Sequence, residues 1–160
     1  MNPPPFHRAL LAALMVASLG ALPGCRTAPA LPPANLSEPG WRVQQGQAVW
    51  KARSTAPEIA GEVLFATHRD GRSLIQFTKT PFPIVVAQAV SDRWEIQFVP
   101  EGRTFRGRGQ PPKYFGWLHL LSALAARPLP DNFTLSRPAP STWRLASPVT
   151  GEFIEGYFLP

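Results

Sequence analysis

The sequence contains one cysteine, Cys25, among its 160 residues. A single thiol cannot close a disulfide within the chain, and it cannot build a metal site that needs several cysteines. Cys25 also precedes every segment in which we predict regular structure, so the predicted domain has no thiol for catalysis. We therefore expect an apolar core alone to hold the fold together.

Charged residues are also scarce, at 16% of the chain against 44% hydrophobic residues, which predicts a folded globular domain. Acidic residues are the rarer kind: 10 stand against 16 lysines and arginines, a formal net charge of +6. Such a balance indicates nucleic acid, an anionic membrane surface, or simply a solvated basic face. We expect no nucleic acid partner, because the amino terminus predicts export.

No uncharged apolar run is long enough to cross a bilayer, which takes about 20 residues. The longest, over residues 9–20, has 12 residues and follows His7 and Arg8, as in a secretory signal. The next segment, Leu22-Pro23-Gly24-Cys25, resembles the lipobox of bacterial lipoproteins, in which the cysteine is lipidated and becomes the new amino terminus. We predict a signal peptide over 1–24 and lipidation of Cys25. An ordinary signal peptide with an incidental cysteine is the alternative.

The lipoprotein resemblance also implies a location. Arg26, and not aspartate, follows the cysteine, which in Gram-negative lipoproteins implies passage to the outer membrane with the domain facing the periplasm. Residues 25–40 are rich in proline and alanine and predict a tether between the lipid and the domain. We expect the membrane to be a partner through this anchor and residues 41–160 to form one domain.

Twenty prolines favour short strands and turns over a helical bundle. Alternating apolar and polar residues predict five strands that form an antiparallel meander. Asp70-Gly71 marks a tight hairpin turn between the second and third of them. The predicted strands cover residues 41–53, 59–67, 73–79, 84–90 and 94–99.

The pattern changes after residue 100. Residues 101–110 predict a loop rich in glycine and arginine, and residues 113–127 predict a helix with leucines at helical spacing. Three short strand-like segments follow, over 133–137, 143–146 and 151–159. We predict a mainly β, α+β fold: a curved antiparallel half-barrel sheet with one helix on its concave face.

This order of elements resembles the LolA/LolB-like group of lipoprotein-handling proteins, and LolB more closely because of the predicted anchor. The resemblance rests on the lipobox, the meander, a helix containing Gly116-Trp117-Leu118, and the Leu129-Pro130-Asp131 segment. The part after the helix is shorter than in that group. The resemblance implies a protein without enzymatic activity that binds an acyl chain or a lipoprotein client in an apolar hollow between sheet and helix. Transfer to, or insertion into, the outer membrane is the implied function.

Large apolar side chains are the candidates for lining such a hollow, although they are equally typical of an ordinary core. The hydrophobic ligand-binding candidates are Trp50, Phe65, Phe77, Trp94, Phe98, Trp117, Leu118 and Leu121.

Two further features are candidates for membrane or client contact. LolB-like proteins have a protruding leucine in a loop between the third and fourth strands; the matching stretch here is Pro81-Phe82-Pro83. Phe82 would then insert into a bilayer or touch a client, or alternatively fold back onto the sheet. Arg103, Arg106 and Arg108 would neutralise lipid phosphates, or else belong to a solvated loop.

Catalytic patterns are lacking. His68 and His119 lie 51 residues apart with no carboxylate at ligand spacing, and no serine stands in a G-x-S-x-G turn. Gly107-Arg108-Gly109 lacks the lysine and serine or threonine of a phosphate-binding loop. We predict no catalytic residue, no metal and no cofactor. The alternative to a carrier is a structural or accessory envelope lipoprotein that docks partner proteins.

Overall fold

The structure, a computed structural model, describes residues 28–160. The predicted signal peptide and the predicted lipidation site, Cys25, lie outside these residues.

The described chain forms nine strands and one helix, which confirms the predicted α+β class with a mainly antiparallel sheet. The elements, in chain order, are β1 Trp41–Lys51, β2 Glu58–His68, β3 Ser73–Lys79, β4 Phe82–Val90, β5 Arg93–Phe98, β6 Arg103–Arg108, α1 Gly116–Leu124, β7 Thr134–Ser136, β8 Thr142–Ala146 and β9 Phe153–Phe158.

All nine strands belong to one open sheet, in the order β6-β5-β4-β3-β2-β1-β9-β8-β7, and every neighbouring pair is antiparallel. Strands β1 to β5 form the predicted meander. The last strand, β9, returns to pair with the free side of β1, where Trp50 stands opposite Ile154. The three strands after the helix therefore extend the sheet beyond β1.

The sheet curves around the helix. Helix α1 contacts β3 and β4 on one side and β9 on the other. Strands β4 and β9 are four places apart in the sheet, which is about 19 Å in a flat sheet and wider than a helix of about 10–12 Å. Both can touch one helix only because the sheet bends, so the helix lies on the concave face as predicted.

One sequence interpretation is wrong: residues 101–110 are not simply a loop. Arg103–Arg108 form β6, an edge strand that pairs with all six residues of β5. Arginines and Gly107 obscure the alternation in the sequence, yet Phe105 and Gly107 still face the core side opposite Ile96 and Trp94. The alternation in β5 is clear, and hydrogen bonds to β5 hold residues 103–108 in an extended strand although their own sequence does not predict one.

Helix α1 is also shorter than predicted, nine residues instead of the fifteen of 113–127. Its carboxyl end is a Schellman motif: the Ala126 N–H bonds to the Ala123 carbonyl and the Arg127 N–H bonds to the Ser122 carbonyl. Ala126 takes the left-handed conformation, with φ of 57°, that this motif requires. The helix therefore ends before the apolar pattern does.

Much of the stretch predicted as a tether packs against the sheet. The side chain of Leu31 is only 5% exposed, and its N–H donates to the Glu95 carboxylate at 3.0 Å. Glu38 pairs with Arg72 at 2.9 Å, and the ring of His68 hydrogen-bonds to the Pro39 carbonyl. Part of this stretch thus belongs to the folded domain.

Candidate functional site

The concave face of the sheet is filled at its centre. Trp117 of the helix stacks on Phe77 of β3 with ring centroids 4.9 Å apart, and it meets Trp50 of β1 edge-on at 5.8 Å. Phe77 and Trp117 are at most 1% exposed, as are Leu118 and Leu121. These side chains pack against one another as in a protein core.

The structure brings all eight hydrophobic candidates into one cluster. Seven of them are buried in the core, and Phe98 packs partly buried against it. The eight residues are therefore neighbours in the core, and their role as ligand contacts stays a prediction. The cavities beside the helix lie at its two ends and along its flank next to Trp94 and Leu118.

The first open space lies at the carboxyl end of α1. Two adjoining cavities of about 510 and 570 Å³ share Gln44, Phe65 and Leu124 in their walls. We call this region the open end. It exists because β1 continues past the end of the helix, so that Gln44 on its inner side has no helical turn above it. Of the eight candidates, only Phe65 lines it.

The walls of the open end are mixed in chemistry. Phe158 of β9 stacks on Phe65 with centroids 6.1 Å apart and continues the apolar floor. Arg42 and Arg127 stand at the other side of the same space. An apolar floor with cations at one side suits a molecule that has a hydrocarbon chain and a negative head group.

The second open space lies at the amino end of α1, where a cavity of about 350 Å³ has walls of aromatic rings, including Phe105 and Phe115 at 5.0 Å. At its base the carboxyl group of Glu152 is 7% exposed and accepts a hydrogen bond from Trp50 Nε1 at 3.1 Å. Burial raises the pKa of Glu152 to about 7, against smaller opposing effects of the Trp50 and Gly116 hydrogen bonds.

Sequence reasoning missed Glu152 altogether. Its position between Gly151 and Phe153, at the turn into β9, carries no motif that announces burial. The only local signal is Gly116 at the start of the helix, because a Cβ there would lie 2.6 Å from the Glu152 carboxyl carbon. The Glu152 carboxyl group thus occupies the space beside the Gly116 Cα that a side chain would otherwise fill. This space lies at the amino terminus of the helix, where negative charge is favourable.

A third space, a groove of about 690 Å³, lies on the convex face over β1, β2, β8 and β9. Apolar and polar residues share its lining, and the polar ones pair with each other: the Tyr157 hydroxyl donates to Gln47 at 3.0 Å, and Arg144 pairs with Glu155. These strands are distant in sequence, so no local pattern could have predicted the groove.

Phe82 is 69% exposed and does not fold back onto the sheet. It is the first residue of β4, stands opposite Lys79, and follows the two-residue turn Thr80-Pro81. The predicted loop thus shrinks to a tight hairpin that presents the ring to the surroundings.

The three candidate arginines do not act as one cluster. Strand alternation puts Arg103 on the side of Phe105, with its guanidinium 5.0 Å from that ring and 3.2 Å from Glu101. Arg106 points to the convex face and binds Glu95 at 2.6 Å. Arg108 stands two residues further along that face.

The two histidines of the described chain serve the fold. His68 is buried between Trp41 and the Pro39 carbonyl, and His119 bonds to the Pro112 carbonyl at 3.0 Å. Burial lowers the pKa of His119. Within residues 28–160, no three or more histidine, aspartate or glutamate side chains are grouped as metal ligands. In the same range no helix combines the length and apolarity needed to cross a bilayer.

Comparison with protein-family models and with curated proteins found nothing that matches this chain.

Proposed function

We propose that this protein is a lipid-anchored envelope protein of the LolA/LolB-like kind that receives an acyl chain at the open end. The lipobox-like segment before Cys25 supports the anchor, and the curved sheet around one helix supports the likeness in fold. The observation that carries the proposal is the pair of adjoining cavities that share Gln44, Phe65 and Leu124.

The size and chemistry of the open end suit such a ligand. Each cavity lies within the range of about 300–1,000 Å³ typical of small-molecule sites. Each methylene buried there contributes about 0.8 kcal/mol, so hydrocarbon contact with Phe65, Leu124 and Phe158 supplies affinity without a covalent step. Arg42 and Arg127 would face the polar head. Release of the bound acyl chain from the open end would then be the step that transfers it to the outer membrane.

The test is binding of a fluorescent fatty acyl probe to the complete mature chain with Cys25→Ser. We expect the unaltered domain to bind the probe and Leu124→Trp, which places a larger side chain in the wall shared by both cavities, to weaken binding at least tenfold. Val149→Trp is the control, because Val149 is 78% exposed and lines neither cavity. Failure of the unaltered domain to bind, or equal binding by both variants, would refute the carrier proposal.

The anchor has its own test. We expect the protein from cell envelopes to carry the mass of acyl groups on a chain that begins at Cys25, and Cys25→Ser to release it from the membrane fraction. Intact-mass spectrometry of both proteins gives the answer. A chain cleaved elsewhere, or unmodified, would remove the basis for the anchor and for the outer-membrane location.

The second candidate is an accessory lipoprotein that docks a partner in the envelope. The filled centre of the concave face and the exposed ring of Phe82 favour it. A photo-crosslinking residue at position 82 would then join to one defined envelope protein in living cells, and the same residue at position 149 would not. A defined crosslinked partner, together with no binding of the acyl probe, would establish that the protein docks a partner and does not carry an acyl chain.

A further inference from the structure

The docked amino-terminal segment fixes where the anchor leaves the domain. Leu31 is held on the convex face of β5 by its hydrogen bond to Glu95. Residues 38 and 39 hold the other end of the segment near Trp41 through Arg72 and His68. A tether that runs freely from Trp41 would not favour any side of the domain, whereas this one starts beside β5.

Chain length then limits the position of the lipid. Leu31 is six residues after Cys25, and six steps of even fully extended chain span at most about 20–22 Å. Glu95 is two residues, about 7 Å, from the start of β5 at Arg93. Glu95 pairs with Gln88, which is six residues or about 20 Å from Phe82 along β4, so the segment leaves the domain nearer the Arg93 end of the sheet than the Phe82 end.

The end of the sheet nearest this exit is basic. Arg93, Lys113 and Arg127 line a recess of about 270 Å³ beside the β4–β5 turn, in which Asp92 is the one carboxylate and His119 is buried. Arg108 of β6 stands directly opposite Arg93. None of these four basic side chains is within 4.0 Å of a carboxylate in the part of the chain that the structure describes.

The like charges of these basic side chains favour binding of an anion. Arg93 and Arg108 are cross-strand neighbours with the same charge, and such pairs are destabilising on their own. The neighbouring Arg106 differs, because Glu95 already neutralises it. Guanidinium groups match phosphate oxygens in geometry and charge. These cations, of which none pairs with a carboxylate in the described residues and Arg127 donates to the Gly71 carbonyl, therefore lie where the anchored chain would bring the domain against lipid head groups.

We propose that Arg93, Arg108, Lys113 and Arg127, here called the basic end, rest on anionic phospholipid head groups in the membrane that holds the anchor. The proposal rests on the proposed lipidation of Cys25. It assigns contact with lipid phosphate to Arg93 and Arg108 in place of Arg103 and Arg106. It also turns Phe82 away from the bilayer, toward a client or partner.

Orientation is tested with the lipidated full chain in vesicles of phosphatidylcholine and phosphatidylglycerol. A fluorophore is attached through Gln110→Cys at the basic end or Thr80→Cys at the Phe82 end, since the lipidated Cys25 leaves no other thiol. We expect a quencher on the lipid head groups to quench the label at 110 severalfold more than the label at 80. Equal or reversed quenching would overturn the proposal.

Charge is tested by co-sedimentation of the complete mature chain carrying Cys25→Ser with the same vesicles. Arg93→Gln with Arg108→Gln should weaken binding about 25-fold, at about fivefold per arginine. Arg53→Gln with Lys79→Gln, which removes two exposed charges at the opposite end, should weaken it much less. Equal losses would overturn the proposal, and Arg108→Gln alone, at an exposed position, serves if the double variant does not fold.

The two proposals fail separately. A chain without acyl groups on Cys25 refutes the anchor, yet the co-sedimentation experiment still decides whether the basic end binds anionic lipid. A lipidated chain with no preference for the label at 110 refutes the orientation and leaves the anchor in place.

Discussion

Glu152 shows how a single buried carboxyl group links the two halves of the molecule. It belongs to the turn before β9, accepts a hydrogen bond from Trp50 of β1, and lies against Gly116 at the start of α1. Removal from water disfavours its ionised form, which is why its pKa rises to about 7. The helix has no acidic residue in its own first turn, so Glu152 is the carboxylate at that terminus.

This residue predicts a pH dependence of stability. The folded protein holds the Glu152 proton up to about pH 7, whereas the unfolded chain releases it near 4.5, so the folded state binds more protons between these values. The free energy of unfolding should therefore fall as the pH rises from about 4.5 to 7, by up to about 3 kcal/mol from this group. Urea denaturation at pH 5 and pH 8 measures the difference.

The matched variants are Glu152→Gln and Glu101→Gln, of which only the first removes the buried carboxyl group. Glu152→Gln keeps an oxygen that accepts the Trp50 hydrogen bond and should flatten the pH dependence. Glu101→Gln should leave it intact. Because the lowered pKa of His119 acts in the opposite sense, the comparison between variants decides: an identical pH dependence in the unaltered protein and in Glu152→Gln would contradict the prediction.

At the scale of single elements, the ends of the helix are set by tertiary contacts and by backbone strain. No side chain caps the amino end from Phe115. At the carboxyl end an alanine occupies the left-handed position that usually holds glycine, since a Cβ there crowds the carbonyl oxygen. The termination of α1 therefore costs conformational energy that its packing must offset.

We predict that Ala126→Gly stabilises the protein by about 0.5–1 kcal/mol, because glycine adopts positive φ without this strain. Ala123→Gly is the control: it lies inside the helix, 7% exposed, and should destabilise by about 1 kcal/mol. Thermal or urea unfolding measures both changes. A loss of stability in Ala126→Gly would mean that its methyl group makes contacts worth more than the strain.

The edge strand β6 illustrates the limit of local patterns. Its sequence, RTFRGR, has one large apolar residue, and nothing in it demands a strand. Hydrogen bonds to β5 make this segment a strand. Glycine is required at position 107 because a Cβ at that position would lie 2.3 Å from the Trp94 ring. The same strand then divides the three candidate arginines between two faces.

At the scale of the whole molecule, β9 joins the meander to the hairpin formed with β8. Ile154 is fully buried at this junction, opposite Trp50 on one side and Leu145 on the other. The helix rests against both parts. A core shared in this way predicts that the domain unfolds as one cooperative unit.

Ile154→Ala should therefore lower the free energy of unfolding by about 2–5 kcal/mol while the transition remains single. Tyr157→Phe, on the exposed side of the same strand, removes one surface hydrogen bond and should cost far less. Tryptophan fluorescence and far-ultraviolet circular dichroism in urea measure both. Two separate transitions would contradict the shared core.

The sequence by itself determined the class of fold, the five strands of the meander and the residues of the core. Alternation is a local property, and each large apolar residue on the inner side of a strand has to be buried. Trp50, Phe77 and Trp117, which the sequence indicated as possible ligand contacts, touch one another in the core. The same local evidence predicted Phe82 as a candidate contact residue but left its exposure open.

Only the tertiary structure decided where the open space lies. Three features depend on long-range contacts. Strand β1 extends beyond the end of helix α1, the Glu152 carboxyl group fills the space next to Gly116, and Leu31 packs against β5. Each depends on residues that are far apart in sequence and on the curvature of the sheet. Local patterns predict which side chains must leave water, whereas packing alone decides which spaces they leave unfilled.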